Sequence, residues 1–219
     1  MKVLDVIGPI MIGPSSSHTA GAVRLGRIAR NILGEEPVSA KLTLHGSFSK
    51  TYRGHGTDLA LVAGLLGMNT DDERIPSAIK IAERKGLKVS FSEADLGDVH
   101  PNTVRFELKS AGDKKAVVVG SSTGGGSIEI VKINGFETSF KGEFHTLITQ
   151  HEDKPGVISE VTTVLAQYGI NIAFMRVSRK EKGNLALMII ETDNPIPNGV
   201  RDKIAENRKI YSAIAIEPI

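Results

Sequence analysis

The sequence contains no cysteine and no tryptophan, and only 5% of its residues are aromatic. Without thiols the chain forms no disulfide and offers no thiolate to a metal ion or an iron–sulfur cluster. So few aromatics leave no stacking platform for nucleic-acid bases. An excess of one charge is also lacking. There are 27 Lys and Arg against 25 Asp and Glu, a formal net charge of +2, too small to draw the chain to nucleic acid or an anionic membrane. No window approaches the roughly 20 apolar residues that cross a bilayer. Met1 to Ile12 is apolar but carries Lys2 and Asp5. It has no long apolar centre and no small-residue cleavage pattern, so no signal peptide is expected. These absences are read as pointing to a cytoplasmic protein with neither nucleic acid nor membrane as partner.

What is present is ordinary for a globular chain: 219 residues, 40% hydrophobic and 24% charged, enough for one large domain or two small ones. Ala22, Val23, Leu25, Ile28, Ala29 and Leu33 recur at close to helical spacing, with Arg24, Arg27 and Arg30 on the other side and Gly34 as the stop. Ser17 or Thr19 is expected to cap this helix. Ala40–Gly46 alternates as a strand. Gly46–Asp58, "GSFSKTYRGHGTD", is rich in breakers and is expected to be mostly loop. Two helical runs follow, Leu59–Leu66 and Ile75–Lys85. From Leu87 the period changes to two, and Asn134-Gly135 marks a hairpin. Residues 1–142 thus read as an α+β domain with an antiparallel or mixed sheet.

A second unit, residues 144–219, reads as βαββαβ, the ferredoxin-like order. Its first helix, Val157–Tyr168, is expected to bury Ile158, Val161, Val164 and Leu165. The join, Lys141-Gly142-Glu143, is short.

The chemistry-bearing residues cluster in three segments of the first unit. "GPSSSHTAG", Gly13–Gly21, sets Ser15, Ser16, Ser17, Thr19 and His18 at a helix start. Hydroxyls and orphan N–H groups there suit a carboxylate, and the positive dipole end should keep the imidazole neutral, able to accept a proton. The plainer reading is a capped helix with an exposed histidine. In "GHGTD", His55 lies between Gly54 and Gly56, where backbone can approach a ligand closely. Thr57 and Asp58 follow, the latter equally suited to capping the next helix. "STGGGS", Ser122–Ser127, is either an anion nest or a tight bend between strands, with Ser122, Gly124, Gly125 and Gly126 as candidates. His45 ends a strand, His100 and His145 carry no motif, and His151 is a candidate to orient a regulator.

The segment "HEDKPGVISEVTTVLAQYGINI" resembles the ACT domain family, whose D-x-P-G turn stands here as Asp153, Pro155 and Gly156, and whose "GINI" strand opening is Gly169–Ile172. The resemblance covers Phe144–Ile219. It implies side-by-side self-association and a small ligand, L-serine or another amino acid, near Asp153, Pro155, Gly156 and Asn171.

The three N-terminal segments together resemble the β chain of the iron–sulfur L-serine dehydratases, and the N-terminal part is also similar to the allosteric-substrate-binding domain of some phosphoglycerate dehydrogenases. The dehydratase resemblance implies a lyase that eliminates water from L-serine, with the enamine product hydrolysing to pyruvate and ammonia. It implies a [4Fe–4S] cluster carried by a separate α chain, so this chain would act only as part of a heteromer. His18 and His55 are then the expected catalytic pair, with the Cα proton not assigned between them. The expected substrate-binding residues are Ser15, Ser16, Ser17, Thr19, Thr57, Asp58, Ser122, Gly124, Gly125 and Gly126. A non-catalytic amino-acid-sensing module is the alternative.

Overall fold

The computed structural model describes residues 9–219, so Lys2 and Asp5 lie outside it. The chain is α+β. It divides into two compact units, one ending at Gly135 and taking in Ser139–Lys141, the other made of Phe136–Thr138 and Gly142–Ile219. No helix among the described residues is long and apolar enough to cross a membrane.

The first unit opens with a π-helical turn, Ser16–Gly21, that runs into α1, Ala22–Leu33. Gly34 ends α1 in the left-handed region (φ 76°), its N–H closing on the Arg30 and Asn31 carbonyls, a stop that glycine makes without a side-chain clash. Strand β1, Pro37–Leu44, is followed by α2 (Gly46–His55), α3 (Thr57–Leu65) and α4 (Ala78–Arg84), the last entered through a short 3₁₀ turn, Ile75–Ser77. These helices cross over to β2 (Lys88–Glu93), which pairs parallel to β1. Strands β3 (Thr103–Ser110), β4 (Lys115–Gly124), β5 (Ser127–Ile133) and β6 (Phe136–Phe140) complete a mixed sheet in the order β2-β1-β3-β4-β5-β6. β4 continues through Gly124, because Gly120, Ser121, Ser122 and Gly124 all keep antiparallel partners on β5. Asn134 and Gly135 take positive φ (50° and 80°) in the β5–β6 turn, as a two-residue hairpin with right-handed strand twist requires.

Helix α1 lies on β3 and β4, and α3 packs against α1. Leu25 seats directly over Gly120 of β4, where a methyl would come within 2.6 Å of the leucine. On its other side α1 meets α3 backbone to backbone. A methyl on Gly64 would lie 2.1 Å from the Val23 carbonyl oxygen, and one on Gly26 would lie 2.4 Å from that of Leu61. Leu25, Ile28, Leu42, Leu44, Phe48, Phe106, Ile128 and Ile130 fill the core.

Residues 46–58 are not the expected loop. Two helices occupy them, and the hydroxyls of Ser49 and Thr51 are satisfied inside α2. Ser49 Oγ donates to the Gly46 carbonyl and Thr51 Oγ1 to that of Ser47, the local bonding by which Ser and Thr sit within helices. Ser47 and Phe48 N–H groups donate to the Pro101 carbonyl, and the Phe48 ring is fully buried. Gly56 (φ 68°) then ends α2 and begins α3 without a connecting segment.

The second unit has β7 (His145–Glu152), α5 (Val157–Gln167), β8 (Ile172–Arg179), β9 (Leu185–Thr192), α6 (Asn198–Ala205) and β10 (Ile210–Ile216). Its antiparallel sheet has the order β10-β7-β9-β8, the βαββαβ arrangement. Val157, Val161 and Leu165 of α5 join Leu147, Met188, Ile190, Val200 and Ile204 in its core, with Val164 packed at the margin. Ile158 does not belong to that stripe. It is 39% exposed, because the buried positions recur at four-residue steps from Val157 and leave its neighbour turned outward.

The α1–α3 crossing gives a stability test. Gly64→Ala should lower unfolding free energy by about 1–3 kcal/mol in chemical denaturation, the usual cost of overpacking. Gly54→Ala, where a methyl meets open space, should leave it unchanged or slightly raised through helix propensity.

Candidate active site

The Gly13–Gly21 segment is held by close contacts that only small residues permit. Gly13 (φ 156°) lies against Thr19, whose Oγ1 would be 2.2 Å from a methyl there. Gly21 lies against Ser122 of β4, whose Oγ would be 2.1 Å from a methyl. Ser15 is the cap, not Ser17 or Thr19 as expected. Its backbone is extended and its Oγ accepts the His18 N–H at 3.2 Å. Ser17 and Thr19 cannot serve because they already lie inside the π turn, and the Thr19 N–H donates to the Ser15 carbonyl.

This turn delivers His18 against one face of α2. The residue is 9% exposed. It meets the edge of Phe48 at 5.3 Å and the ring of His55 at 4.8 Å, tilted by 57°. Its Nε2 is 3.1 Å from Thr51 Oγ1 and its Nδ1 is 3.4 Å from Ser15 Oγ. His55, in the last turn of α2, is exposed. The pair therefore joins a buried, fully bonded imidazole to an open one, brought together from two separate segments. Burial, and secondly the charge of His55, lower the pKa of His18. A neutral His18 was expected from the helix dipole. The direction is the same, but the cause is removal of the ring from water.

The other candidates fall into two groups. Ser15, Ser16 and Ser17 are half-buried beside His18. Asp58 is half-buried in the first turn of α3, where its Oδ1 accepts the Leu59 N–H at 2.9 Å; it is not the N-cap, a place taken by Gly56. Thr19, Thr57 and Ser122 lie beneath the surface, and the hydroxyls of Thr57 and Ser122 have no hydrogen-bond partner among the described residues. Gly124, Gly125 and Gly126 all have positive φ (110°, 59° and 83°) and make the bend from β4 to β5. Arg24 Nη1 donates to the Gly126 carbonyl. His45, just ahead of α2, accepts the Leu96 N–H at Nδ1.

In the second unit, Asp153 Oδ2 accepts bonds from the Gly183 N–H and Arg179, which ties the β7 end to the β8–β9 turn. Asn171 donates to Asp193. Pro155 and Gly156 (φ 91°) are exposed ahead of α5. His151 is buried on β7 beside Thr149, and burial lowers its pKa. Thr51 and Phe48 are the site residues that sequence reasoning missed. Their signal was the spacing of 48, 51 and 55 on one helical face, invisible while the segment was read as loop.

Comparison with known proteins gives consistent matches. The family described as "Serine dehydratase beta chain" matches residues 3–86, and the "ACT domain" matches residues 145–208. The chain is 48% identical over 217 residues to "Probable L-serine dehydratase, beta chain" of Bacillus subtilis (strain 168), covering 98% of this chain and 97% of that one. It is 37% identical over 217 residues to "L-serine dehydratase, beta chain" of Peptoniphilus asaccharolyticus, covering 99% and 98%. It is also 32% identical to "D-3-phosphoglycerate dehydrogenase" of Methanocaldococcus jannaschii, over 94% of this chain but 38% of that protein.

The lowered pKa of His18 makes a stability prediction. The unfolded chain binds the proton more readily than the folded one, so His18 contributes stability that is complete above its ordinary value of 6.5. That stability is lost as pH falls from there through the lowered folded value. The thermal midpoint should therefore drop on acidification below about pH 6.5. His18→Asn should flatten part of that drop, leaving the part due to His151.

Proposed function

The chain belongs to the serine dehydratase beta-chain family, and from that premise we propose that it is the β subunit of an L-serine dehydratase, a lyase converting L-serine to pyruvate and ammonia. The observation that carries this reading is the His18–His55 pair, 4.8 Å apart and flanked by Ser15–Ser17.

The donor chemistry of the chain fits a cluster held elsewhere. It has no cysteine, and no group of three or more His, Asp or Glu among the described residues is placed to hold a metal ion. A [4Fe–4S] cluster on a cysteine-bearing α chain would supply Lewis-acid activation of the substrate hydroxyl. This chain's share is the rest. The histidine pair takes the Cα proton, a role that suits an imidazole kept neutral at working pH. Ser15, Ser16 and Ser17 hold the substrate carboxylate through their hydroxyls. The chain alone is then inactive.

For the second unit the reading is self-association and regulation. Strand β8 is a sheet edge, and it exposes Phe174 (59%), Met175 and Val177, an apolar edge that soluble proteins normally cover. A small amino acid, L-serine among the candidates, would sit near Gly156, where the start of α5 favours a carboxylate. Asp153 and Asn171 shape that end of the unit through the bonds described.

The sensing alternative has one observation in its favour. A module of this length also matches a little over a third of the Methanocaldococcus jannaschii dehydrogenase. The two readings separate on mutation. Reconstituted anaerobically with a cysteine-bearing partner, the complex should form pyruvate from L-serine, and His18→Ala and His55→Ala should each lower kcat by about 10²–10⁴-fold. Full turnover in the His18→Ala complex would leave the sensing role. Separately, Phe174→Lys with Met175→Lys should shift the sedimentation profile of the chain toward a smaller species.

A further inference from the structure

The hydrogen bonds around His18 decide which of its nitrogens carries the proton, and this deepens the reading of His18 as part of the reacting pair, on which its catalytic consequence rests. Three linked polar contacts bear on the question. Thr51 Oγ1 is 2.9 Å from the Ser47 carbonyl and 3.1 Å from His18 Nε2, and Ser15 Oγ is 3.4 Å from His18 Nδ1. A hydroxyl has one proton and a carbonyl has none. If Nε2 were bare, the Thr51 proton would have to serve it, leaving two oxygens 2.9 Å apart with no hydrogen between them. If Nε2 carries the proton, every contact is filled. Nε2–H donates to Thr51 Oγ1, Thr51 donates to the Ser47 carbonyl, and Ser15 is free to donate weakly to the bare Nδ1 while accepting the His18 N–H.

We infer that Thr51 is a positioning residue that locks His18 in the Nε2–H tautomer and so makes Nδ1, on the Ser15 side, the basic atom. A proton arriving at Nδ1 produces an imidazolium whose Nε2–H still points at a Thr51 lone pair, because the threonine's own proton is committed to the helix backbone. The charged ring is thereby stabilised without rearrangement. Nδ1 faces the serine run rather than the core. Its bond to Ser15 is long, so displacing that hydroxyl toward a substrate group costs little.

The experiment is long-range ¹H–¹⁵N correlation on the full chain labelled at histidine nitrogen, recorded above the His18 titration and assigned with His18→Gln. The wild-type chain should show His18 as Nε2–H with a bare Nδ1. Thr51→Val, which keeps the shape and removes the hydroxyl, should shift His18 toward the Nδ1–H form. Thr51→Ser should retain the wild-type tautomer. In the reconstituted enzyme Thr51→Val should lower kcat about 3- to 10-fold, the size of one neutral hydrogen bond, with KM little changed and Ser restoring activity. An Nδ1–H His18 in the wild-type chain would overturn the inference, as would a tautomer indifferent to Thr51→Val. Either result would leave the pair's place in the reaction standing. Unimpaired turnover in His18→Ala overturns that place and leaves the tautomer signal intact, so the two failures are separable.

Discussion

Burial of one imidazole is the constraint on which the first unit's site depends. A histidine taken out of water must have its ring nitrogens satisfied or lose stability. His18 meets that demand with hydroxyls from two segments, Ser15 ahead of it and Thr51 on a separate helix. Tertiary structure and protonation state are therefore set together. Burial of the ring, and secondly the charge of His55, disfavour its charged form, so the packing favours a neutral base while the hydroxyls fix its orientation.

The geometry reaches back to a few residues with almost no side chain. Gly13 gives Thr19 a place to lie, Gly21 brings the π turn against Ser122, and Gly120 receives Leu25. Gly26 and Gly64 let α1 and α3 touch through their backbones. A π turn is itself a departure from regular helix that recurs at functional positions. Here it carries His18 to the α2 face while α1 stays seated on the sheet.

The second unit was the more legible from sequence, because its first helix carries a clear apolar stripe and stops at Gly169, and its strands alternate between apolar runs and polar turns. The βαββαβ order is as expected, and α5 (Val157–Gln167) lies where its stripe placed it. Ile158 misled because an apolar residue beside a stripe looks like part of it until the phase of the helix is fixed by its neighbours. In the first unit α1, its Gly34 stop and the Asn134-Gly135 hairpin were equally plain. Residues 46–55 were not, because serine, threonine and glycine favour loops locally, and only tertiary anchoring of Phe48 and the Pro101 carbonyl reveals a helix. The nearness of His18 and His55 could be guessed from a resemblance. The partner that fixes His18, Thr51, could not, since its role exists only once the helical phase is known.

That phase has a further meaning. Phe48, Thr51 and His55 all touch the same imidazole, and they do so because steps of three and four residues keep one side of a helix in line. Adding or deleting one residue between them would rotate those beyond it by about 100° and disengage them as a group. This stretch is thus intolerant of length change even where it tolerates substitution. Any natural variation in the size of this unit should accumulate elsewhere, in the segments that only connect.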